Sequence, residues 1–196
     1  LFFSFNKGLF IFHKQTGQIR PFVLIDKEMN DQTCINGFSV NIQRITKNKI
    51  LFSAQHIFIY DIVTRKFDIV ATMGKEYERQ SPLIIATVGT KTYLSDLKNI
   101  CEYDSSEGTF KTIYQGQHII NDASMDKDGV FWLASTEGLL RYDPRTGKSE
   151  LIQTSLFQDV ASVVAVNQYR IWIGTRRHLF VYSSHTHNFA TLDEVD

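Results

Sequence analysis

The sequence predicts an all-β chain that folds as part of a β-propeller built from four-stranded antiparallel blades. Three observations lead to this prediction. A short marker pattern recurs about every forty residues, the segments between turns are short, and aromatic residues are plentiful, with 15 Phe and 8 Tyr against 3 Pro. Aromatic side chains pack well on a pleated sheet. Four short strands per repeat of about 40–45 residues, without an intervening helix, are typical of a propeller blade.

The best-preserved copy of the repeat lies in the second half of the chain. It contains two strands of apolar and aromatic residues, Val130–Ser135 and Leu139–Tyr142. Three turns flank these strands, and they are built on Asp128-Gly129, Glu137-Gly138 and Asp143–Gly147. Glycine supplies the positive φ that such turns need, and proline fixes φ at about −65°. We therefore expect two antiparallel hairpins that share one strand.

The marker pattern is an apolar residue, two further residues and an aromatic residue, followed seven positions later by an apolar or small residue. The marker aromatics are Phe12, Tyr60, Tyr103, Tyr142 and Tyr182, and the residues seven positions later are Ile19, Phe67, Phe110, Ser149 and Phe189. Successive marker aromatics are 48, 43, 39 and 40 residues apart. The constant internal spacing predicts a turn of constant length between two paired strands of every blade.

We predict one domain over residues 1–196, divided into five blade units that cover 1–24, 35–71, 83–114, 119–153 and 160–192. The first unit lacks a leading strand. The later units have one at Val40–Ile45, Leu83–Val88, Ile119–Met125 and Val160–Val166. The chain should therefore contain four complete blades and three strands of a preceding one. Blades pack face to face, which explains why several strands are apolar on both faces.

Two segments carry a resemblance to a known repeat. Gly129–Asp143 and Ile171–Thr175 resemble the two-component regulator propeller repeat, whose pattern is an Asp-Gly turn, a Trp-Ile-Gly-Thr strand, a Gly-Leu turn and an Arg-Tyr-Asp-Pro strand end. The fourth and fifth units match this pattern well. The second and third units, with Leu51–Ala54 and Tyr93–Asp96, have drifted from it, and there the period alone carries the resemblance.

The resemblance implies a non-catalytic, ligand-sensing propeller segment in the periplasmic part of a hybrid two-component sensor, anchored in the inner membrane. Propellers of that family sense oligosaccharides and relay the signal to a histidine kinase, and this sequence contains no kinase motif. The implied partners are an oligosaccharide and the remaining blades and sandwich domain of the parent protein. The sequence begins Leu1-Phe2-Phe3 without an initiator Met, so we expect it to be part of a longer protein.

Charge and hydropathy argue against some partners. The 21 basic and 21 acidic residues cancel and neither sign forms a long block, which argues against a nucleic-acid partner. Apolar runs such as Val163–Val166 are far shorter than the roughly 20 residues of a membrane helix, so no direct membrane contact is expected.

An open stack of blades exposes strand edges, so we expect self-association. The spacing of Cys34 and Cys101 does not indicate a disulfide.

The longest connections should lie at one end of the blades, where binding function commonly resides. They are Leu24–Ser39, Ala71–Pro82 and Tyr114–Asp122, and they share that end with the turns between the second and third strands. Glycan recognition needs planar hydrogen-bonding groups and aromatic faces, with a basic residue for an acidic sugar. The candidate ligand-binding residues at this rim are Tyr77, Arg79, His118, Arg176, Arg177 and His178.

Two other functions remain open. A propeller scaffold would bind proteins through an exposed apolar rim. A propeller lyase or hydrolase would need an acid and a base within reach of one bond. The sequence has no Gly-x-Ser-x-Gly elbow, no phosphate-binding glycine loop and no His-Glu-x-x-His motif. We therefore predict no enzymatic activity and no cofactor.

Three conspicuous groups are interpreted as structural. Trp132 and Trp172 recur at matching positions of the repeat, so packing between blades explains them better than sugar stacking. His185 and His187 would need further ligands to bind zinc, and we expect them to be exposed in a turn. Asp126-x-Asp128-Gly129 begins like a calcium loop but lacks the later oxygen ligands, so we expect a hairpin turn and no metal.

Overall fold

The computed structural model describes most of the chain. The described residues are 2–5, 8–21, 41–53, 56–72, 82–152, 154–157, 160–165, 167 and 169–191. Within them the secondary structure consists of nineteen β-strands. The described part contains no helix, and hence none that is long and apolar enough to cross a membrane.

The strands form five antiparallel sheets, and within each sheet the spatial order is the sequence order. The first sheet has three strands: β1 (Phe2–Phe5), β2 (Gly8–His13) and β3 (Gln18–Pro21). The second has β4 (Asn41–Arg44), β5 (Lys49–Ser53), β6 (His56–Asp61) and β7 (Phe67–Thr72). The third has β8 (Leu83–Val88), β9 (Lys91–Asp96), β10 (Asn99–Asp104) and β11 (Thr109–Gln115).

The last two sheets complete the series. The fourth has β12 (Ile120–Met125), β13 (Phe131–Ser135), β14 (Gly138–Asp143) and β15 (Lys148–Ile152). The fifth has β16 (Ser162–Ala165), β17 (Arg170–Gly174), β18 (Leu179–Ser183) and β19 (Asn188–Thr191). Four four-stranded sheets preceded by one three-stranded sheet confirm the predicted blade composition.

The marker pattern sets the strand register. Marker aromatics lie directly opposite the residues seven positions later, in the pairs Phe12–Ile19, Tyr60–Phe67, Tyr142–Ser149 and Tyr182–Phe189. The turn between each pair has a residue with positive φ five positions after the marker aromatic. These residues are Gly17 (67°), Arg65 (57°), Gly108 (69°), Gly147 (69°) and His187 (56°). The conserved spacing therefore reflects one turn geometry that is built five times.

Several predicted boundaries differ from the structure, and two of them have a clear physical cause. The connection predicted over Tyr114–Asp122 is only residues 116–119, because β11 continues to Gln115 and β12 begins at Ile120. The backbone N–H of Ile120 donates to the carbonyl of Leu97 at 2.6 Å, which draws this short connection against the turn after β9. The connection Leu24–Ser39 and residues 73–81 lie outside the described residues.

The second of these two boundaries is the start of β16. This strand begins at Ser162, two residues later than predicted. Val160 is held by the preceding sheet instead: its N–H donates to the carbonyl of Ser135 at 3.1 Å, and its carbonyl accepts from Asn121 Nδ2 at 2.7 Å.

Packing divides the chain into two compact units. The first unit comprises residues up to Asp96 with Glu102–Lys111, and the second comprises Leu97–Cys101 with the residues from Thr112 onward. Strands β1–β9 belong to the first unit and β12–β19 to the second, while β10 and β11 contribute residues to each. The prediction of a single domain therefore stays a prediction, and each unit is described by itself.

The first unit has an apolar core and a buried ionic group. The core residues are Ile45, Leu51, Ile57, Ile59, Leu94 and Tyr103. Glu102 is buried, and its Oε1 lies 3.1 Å from the Nζ atoms of both Lys91 and Lys111. Burial acts to raise the pKa of Glu102, but the hydrogen bonds from Lys111 and Lys91 outweigh it and lower the pKa. Glu102 therefore remains charged while buried.

The second unit has its core between the fourth and fifth sheets. The core residues are Val130, Trp132, Ala134, Leu139, Val160, Val163, Ile171, Ile173, Phe180 and Tyr182. Every residue of β13 is buried, whereas the first three residues of β15 are exposed. The middle strands are thus covered on both faces, as predicted from their continuous apolar character.

Side chains of β12 protect the neighbouring edge of β16. Asp122 Oδ2 accepts a hydrogen bond of 3.0 Å from the N–H of Val163, and Ser124 Oγ accepts one of 3.0 Å from the N–H of Ala165. Unpaired donors on a strand edge would otherwise favour pairing with another chain. Two short polar side chains on one sheet therefore satisfy the edge donors of the next.

Candidate functional site

A polar pocket lies in the second unit, and we call it the polar pocket throughout. Its volume is about 320 Å³, at the small end of the roughly 300–1,000 Å³ that ligand sites occupy. It is lined by Asp126, Asp128, Val130, Trp132, Arg141, Arg145, Glu150, Ile152, Tyr182, Ser184 and His187. Its turn residues come from the β12–β13, β14–β15 and β18–β19 turns, which share one end of their antiparallel sheets.

The base of the polar pocket is a hydrogen-bonded turn. Asp126 is buried, and its Oδ1 accepts from the N–H groups of Asp128 at 2.9 Å and Val130 at 3.0 Å. Its Oδ2 accepts from Trp132 Nε1 at 2.9 Å. Gly129 in this turn has φ 77°, which glycine adopts without strain. These bonds confirm the hairpin turn predicted over Asp126–Gly129.

The two aromatic rings of the polar pocket are packed, not open. Trp132 and Tyr182 are each 1% exposed, and their ring centroids are 5.8 Å apart. Tyr182 also packs on Phe189 at 4.8 Å. Packing between sheets is thus the structural role of Trp132. Trp172, its counterpart in the fifth sheet, is only half-buried.

Three side chains form a row across the fourth sheet. Trp132 pairs with Arg141 on the next strand, and Arg141 pairs with Glu150 on the strand after that. Directly opposed residues point to the same face of a sheet. The row therefore runs from the buried Trp132 through the half-buried Arg141 to the exposed Glu150. Neither Arg141 nor Glu150 forms an ion pair with any residue that the structure describes.

Arg145 is engaged by its own turn. Its Nε lies 3.0 Å from Asp143 Oδ1, and its Nη2 lies 3.0 Å from Asp143 Oδ2. This two-pronged hydrogen bond lowers the pKa of Asp143 and raises the pKa of Arg145. Such bidentate pairs are geometrically specific and comparatively strong. The charge of Arg145 is therefore largely balanced at the mouth of the polar pocket.

His187 lies over the Tyr182 hydroxyl. Its Nδ1 is 2.9 Å from the Tyr182 Oη, and either atom can donate, depending on the histidine tautomer. Burial raises the pKa of Tyr182, and the nearby Glu150 carboxylate raises it further. His187 is exposed in its turn, as predicted, and so is His185, whose ring lies 6.1 Å from that of Tyr169.

The polar pocket offers hydrogen-bonding groups of both kinds. Arg141 supplies only donors, and the carboxylates of Asp128 and Glu150 supply only acceptors. Ser184 and His187 can do either, depending on hydroxyl rotation and tautomer. This combination suits a ligand with several hydroxyl groups, because each hydroxyl both donates and accepts. Among the described residues, no group of three or more His, Cys, Asp or Glu side chains is arranged to hold a metal ion.

The predicted rim residues lie elsewhere. Tyr77 and Arg79 are outside the described residues. His118 is partly buried, with its Nδ1 4.0 Å from Glu137 Oε1. Arg176, Arg177 and His178 are exposed in the β17–β18 turn.

Thr175 organises that turn. Its Oγ1 accepts from the N–H groups of Arg177 at 3.3 Å and His178 at 3.0 Å. The β13–β14 and β17–β18 turns lie at the end of their sheets opposite to the polar pocket, and none of the four described rim residues lines that pocket. Ligand binding at the rim therefore stays a prediction.

One sequence signal could have indicated the polar pocket. The position five residues after the marker aromatic is glycine in three units, Arg65 in the second and His187 in the fifth. A side chain where the turn favours glycine marks a departure from the repeat. No sequence signal shows that Arg141 and Glu150 form no ion pair, because ion pairing depends on distances between side chains.

Comparison with known proteins supports the fold. No family model matches the sequence, and no curated protein matches it. The extracellular domain assigned to the hybrid two-component system BT3049 of B. thetaiotaomicron superposes with a TM-score of 0.70 and 17% identity, over 96% of this chain and 28% of that one. The corresponding domain of BT4673 from the same organism gives 0.70 and 16%, over 92% and 25%.

A third solved structure with a similar fold is described as a β-propeller. The WD40 β-propeller domain of Doa1 superposes with a TM-score of 0.57 and 14% identity, over 73% of this chain and 49% of that one. The chain spans about a quarter of the length of the two B. thetaiotaomicron domains. At these identities the likeness shows the fold, which is that of a partial β-propeller, and at that level it confirms the resemblance to two-component regulator propeller repeats.

Proposed function

We propose that this chain is a non-catalytic, ligand-sensing propeller segment of a membrane-anchored hybrid two-component sensor. In this proposal it detects oligosaccharides in the periplasm and relays the signal to a histidine kinase in the parent protein. The observation that carries the proposal is the likeness in fold, over 92–96% of the chain, to extracellular domains assigned to two hybrid two-component systems. The regulator-like motifs in the fourth and fifth units point in the same direction.

The chemistry of the second unit supports an oligosaccharide as the ligand. Sugars present closely spaced hydroxyl groups, and the polar pocket presents guanidinium, carboxylate, hydroxyl and imidazole groups to match them. The predicted rim of Tyr77, Arg79, His118 and Arg176–His178 is a second candidate surface. The polar pocket and the described rim residues Arg176–His178 lie at the ends of sheets, where a rigid scaffold can hold variable side chains.

The experiment is calorimetric titration of the chain with a panel of oligosaccharides. The panel contains galactotriose, xylotriose, mannotriose, maltotriose and trigalacturonate. We expect saturable binding of at least one member with no turnover of the sugar, checked by chromatography of the ligand after incubation. Cleavage of the bound sugar would favour the lyase or hydrolase alternative and contradict a non-catalytic role.

A protein-binding propeller scaffold is the second candidate. It is favoured by exposed apolar side chains on the fifth sheet, where Val164 is 56% exposed and Leu179 is 38% exposed. Val164, Trp172 and Val181 are direct cross-strand neighbours, so they share the face turned away from the core residues of that sheet. Such a face suits self-association or a further blade of the parent protein. This candidate would be favoured if no sugar of the panel binds and if light scattering shows a molecular mass that rises with protein concentration.

A further inference from the structure

We propose that the polar pocket is the subsite for one neutral sugar residue of the oligosaccharide, held by Arg141 and Glu150 and bounded by His187. This inference rests on the proposed function, because it assumes that the chain binds oligosaccharides. It adds the location of the site, the residues that make it and the charge class of the sugar. It also places the ligand at the end of the sheets opposite to the predicted rim.

Arg141 and Glu150 are cross-strand neighbours that both line the polar pocket. They are opposed on adjacent strands of the fourth sheet, yet no ion pair joins them. A half-buried guanidinium with unused donors gains from a ligand that accepts hydrogen bonds. Two neighbouring sugar hydroxyls can accept from Arg141 and donate to Glu150 at the same time. The two side chains therefore form a matched clamp for a diol.

The charge of the polar pocket restricts the class of ligand. Three carboxylates line it, on Asp126, Asp128 and Glu150, against the guanidiniums of Arg141 and Arg145. Arg145 is already held by Asp143 in a bidentate bond. The remaining charge is unfavourable for an anionic ligand, because like charges repel strongly at the short distances of a binding site. The ligand class is therefore a neutral sugar and not a uronic acid.

His187 has an unusual backbone conformation. Its φ of 56° falls in the left-handed region, which non-glycine residues adopt only at an energetic cost. Gly17, Gly108 and Gly147 occupy the equivalent turn position in three other units. Arg65 shows that the turn accepts a side chain, but Arg65 does not line the polar pocket. The imidazole of His187 is thus set at the pocket by a conformation that glycine would adopt more easily.

Hydrogen bonds, and not aromatic stacking, must hold the sugar. Trp132 and Tyr182 are almost fully covered, so their ring faces do not stack on a ligand. Specificity then comes from hydrogen bonds donated by Arg141, accepted by Glu150, and donated or accepted by Ser184 and His187. Removal of either charged side chain, Arg141 or Glu150, also removes its hydrogen bonds to the sugar. Such a loss typically weakens binding about 10- to 100-fold.

The test compares matched variants of the chain against the panel of four neutral trisaccharides and trigalacturonate. The pocket variants are Arg141→Met and Glu150→Gln, and the control is Arg170→Met, an exposed arginine of the fifth sheet that does not line the polar pocket. We expect both pocket variants to bind the best neutral sugar about 10- to 100-fold more weakly than the unchanged chain. The control should bind within about twofold of it, and trigalacturonate should bind more weakly than its neutral counterpart galactotriose.

His187→Gly separates binding from folding. Glycine is the residue found at the equivalent position of three units, so relief of the positive φ should offset the loss of the hydrogen bond to Tyr182 Oη, and the thermal unfolding midpoint should change little. We expect its sugar affinity to fall several-fold, because only the imidazole is removed. The site lies at the opposite rim if Arg177→Met loses sugar affinity while the affinity is unchanged in Arg141→Met, Glu150→Gln and His187→Gly. That result would overturn this inference alone. Failure of the unchanged chain to bind any sugar would instead overturn the proposed function.

Discussion

Trp132 and Asp126 are joined by a hydrogen bond of 2.9 Å between the indole Nε1 and the carboxylate Oδ2. The bond connects the buried centre of β13 to the turn that precedes it. The other carboxylate oxygen accepts from two backbone N–H groups of the same turn. One buried carboxylate thus satisfies three donors, and the turn and the tryptophan of the repeat motif form a single structural element.

Asp126→Ala should destabilise the chain strongly. It removes three hydrogen bonds to a charged acceptor and leaves the indole N–H buried without a partner, which we expect to cost about 2–4 kcal/mol in the free energy of unfolding. Urea denaturation followed by tryptophan fluorescence measures this change. The control is Asp128→Ala in the same turn. The Asp128 side chain is exposed, so this substitution should change the free energy of unfolding by less than about 0.5 kcal/mol. Equal effects of the two substitutions would contradict the role assigned to Asp126.

The two repeat tryptophans should differ in their contribution to stability. Trp132 is 1% exposed between two sheets, whereas Trp172 is half-buried. Truncation of a buried tryptophan leaves a cavity, so we expect Trp132→Ala to cost about 3–5 kcal/mol and Trp172→Ala clearly less. Thermal and urea unfolding of the two variants, at a concentration where the chain is monomeric, makes the comparison. A larger loss for Trp172→Ala would mean that its face is covered in solution.

Gly174→Ala should destabilise the fifth sheet through one close contact. Gly174 lies opposite Ser162 on β16, and a Cβ at position 174 would clash with Ser162 Oγ. Because Ser162 is exposed and its hydroxyl can rotate away, we expect a cost of at most about 1 kcal/mol, the low end for overpacking. The double variant Ser162→Ala, Gly174→Ala removes the clashing oxygen and should recover most of the loss in a double-mutant cycle. Additive effects of the two substitutions would show that another contact is responsible.

Acid should weaken the turn after β10. Hydrogen bonds from the side chain and backbone of Ser106 hold the pKa of Asp104 down, from 3.8 to about 2. Because the folded pKa is lower than the unfolded one, the contribution of Asp104 is present above about pH 4 and is lost as pH falls towards about 2. Urea midpoints measured across this range should fall less steeply in Asp104→Asn than in the unchanged chain. Identical pH profiles would contradict this assignment.

Much of the fold could be predicted because the repeat is local in sequence. The seven-residue spacing from Tyr182 to Phe189 spans a single turn, so it determines which residues of the two strands are opposed. The predicted strand Leu83–Val88 has the observed bounds, and the predicted strand Val130–Ser135 begins only one residue too early. The start of β16 was predicted wrongly because Val160 is held by hydrogen bonds to Ser135 and Asn121, which belong to the preceding sheet.

The candidate site was less predictable than the fold. The sequence favoured the rim with the longest connections, and Tyr77 and Arg79 of that rim lie outside the described residues. The polar pocket depends on which side chains of two sheets face each other and which remain unpaired. Arg141 and Glu150 are nine residues apart in ordinary strand positions, and nothing in their local sequence shows that they form no ion pair.

The sequence by itself determined the strand repeat, the turn with its positive-φ position and the pairing of marker aromatics with their partners, because these depend on the alternation and spacing of residues within one sheet. The tertiary structure alone decided that Trp132 packs on Tyr182, that Asp122 protects the edge of β16, and that Arg141 and His187 meet at one pocket. Those relationships join residues 41 to 50 positions apart in sequence. They exist only once one sheet has packed on the next, where burial and side-chain distances select the contacts.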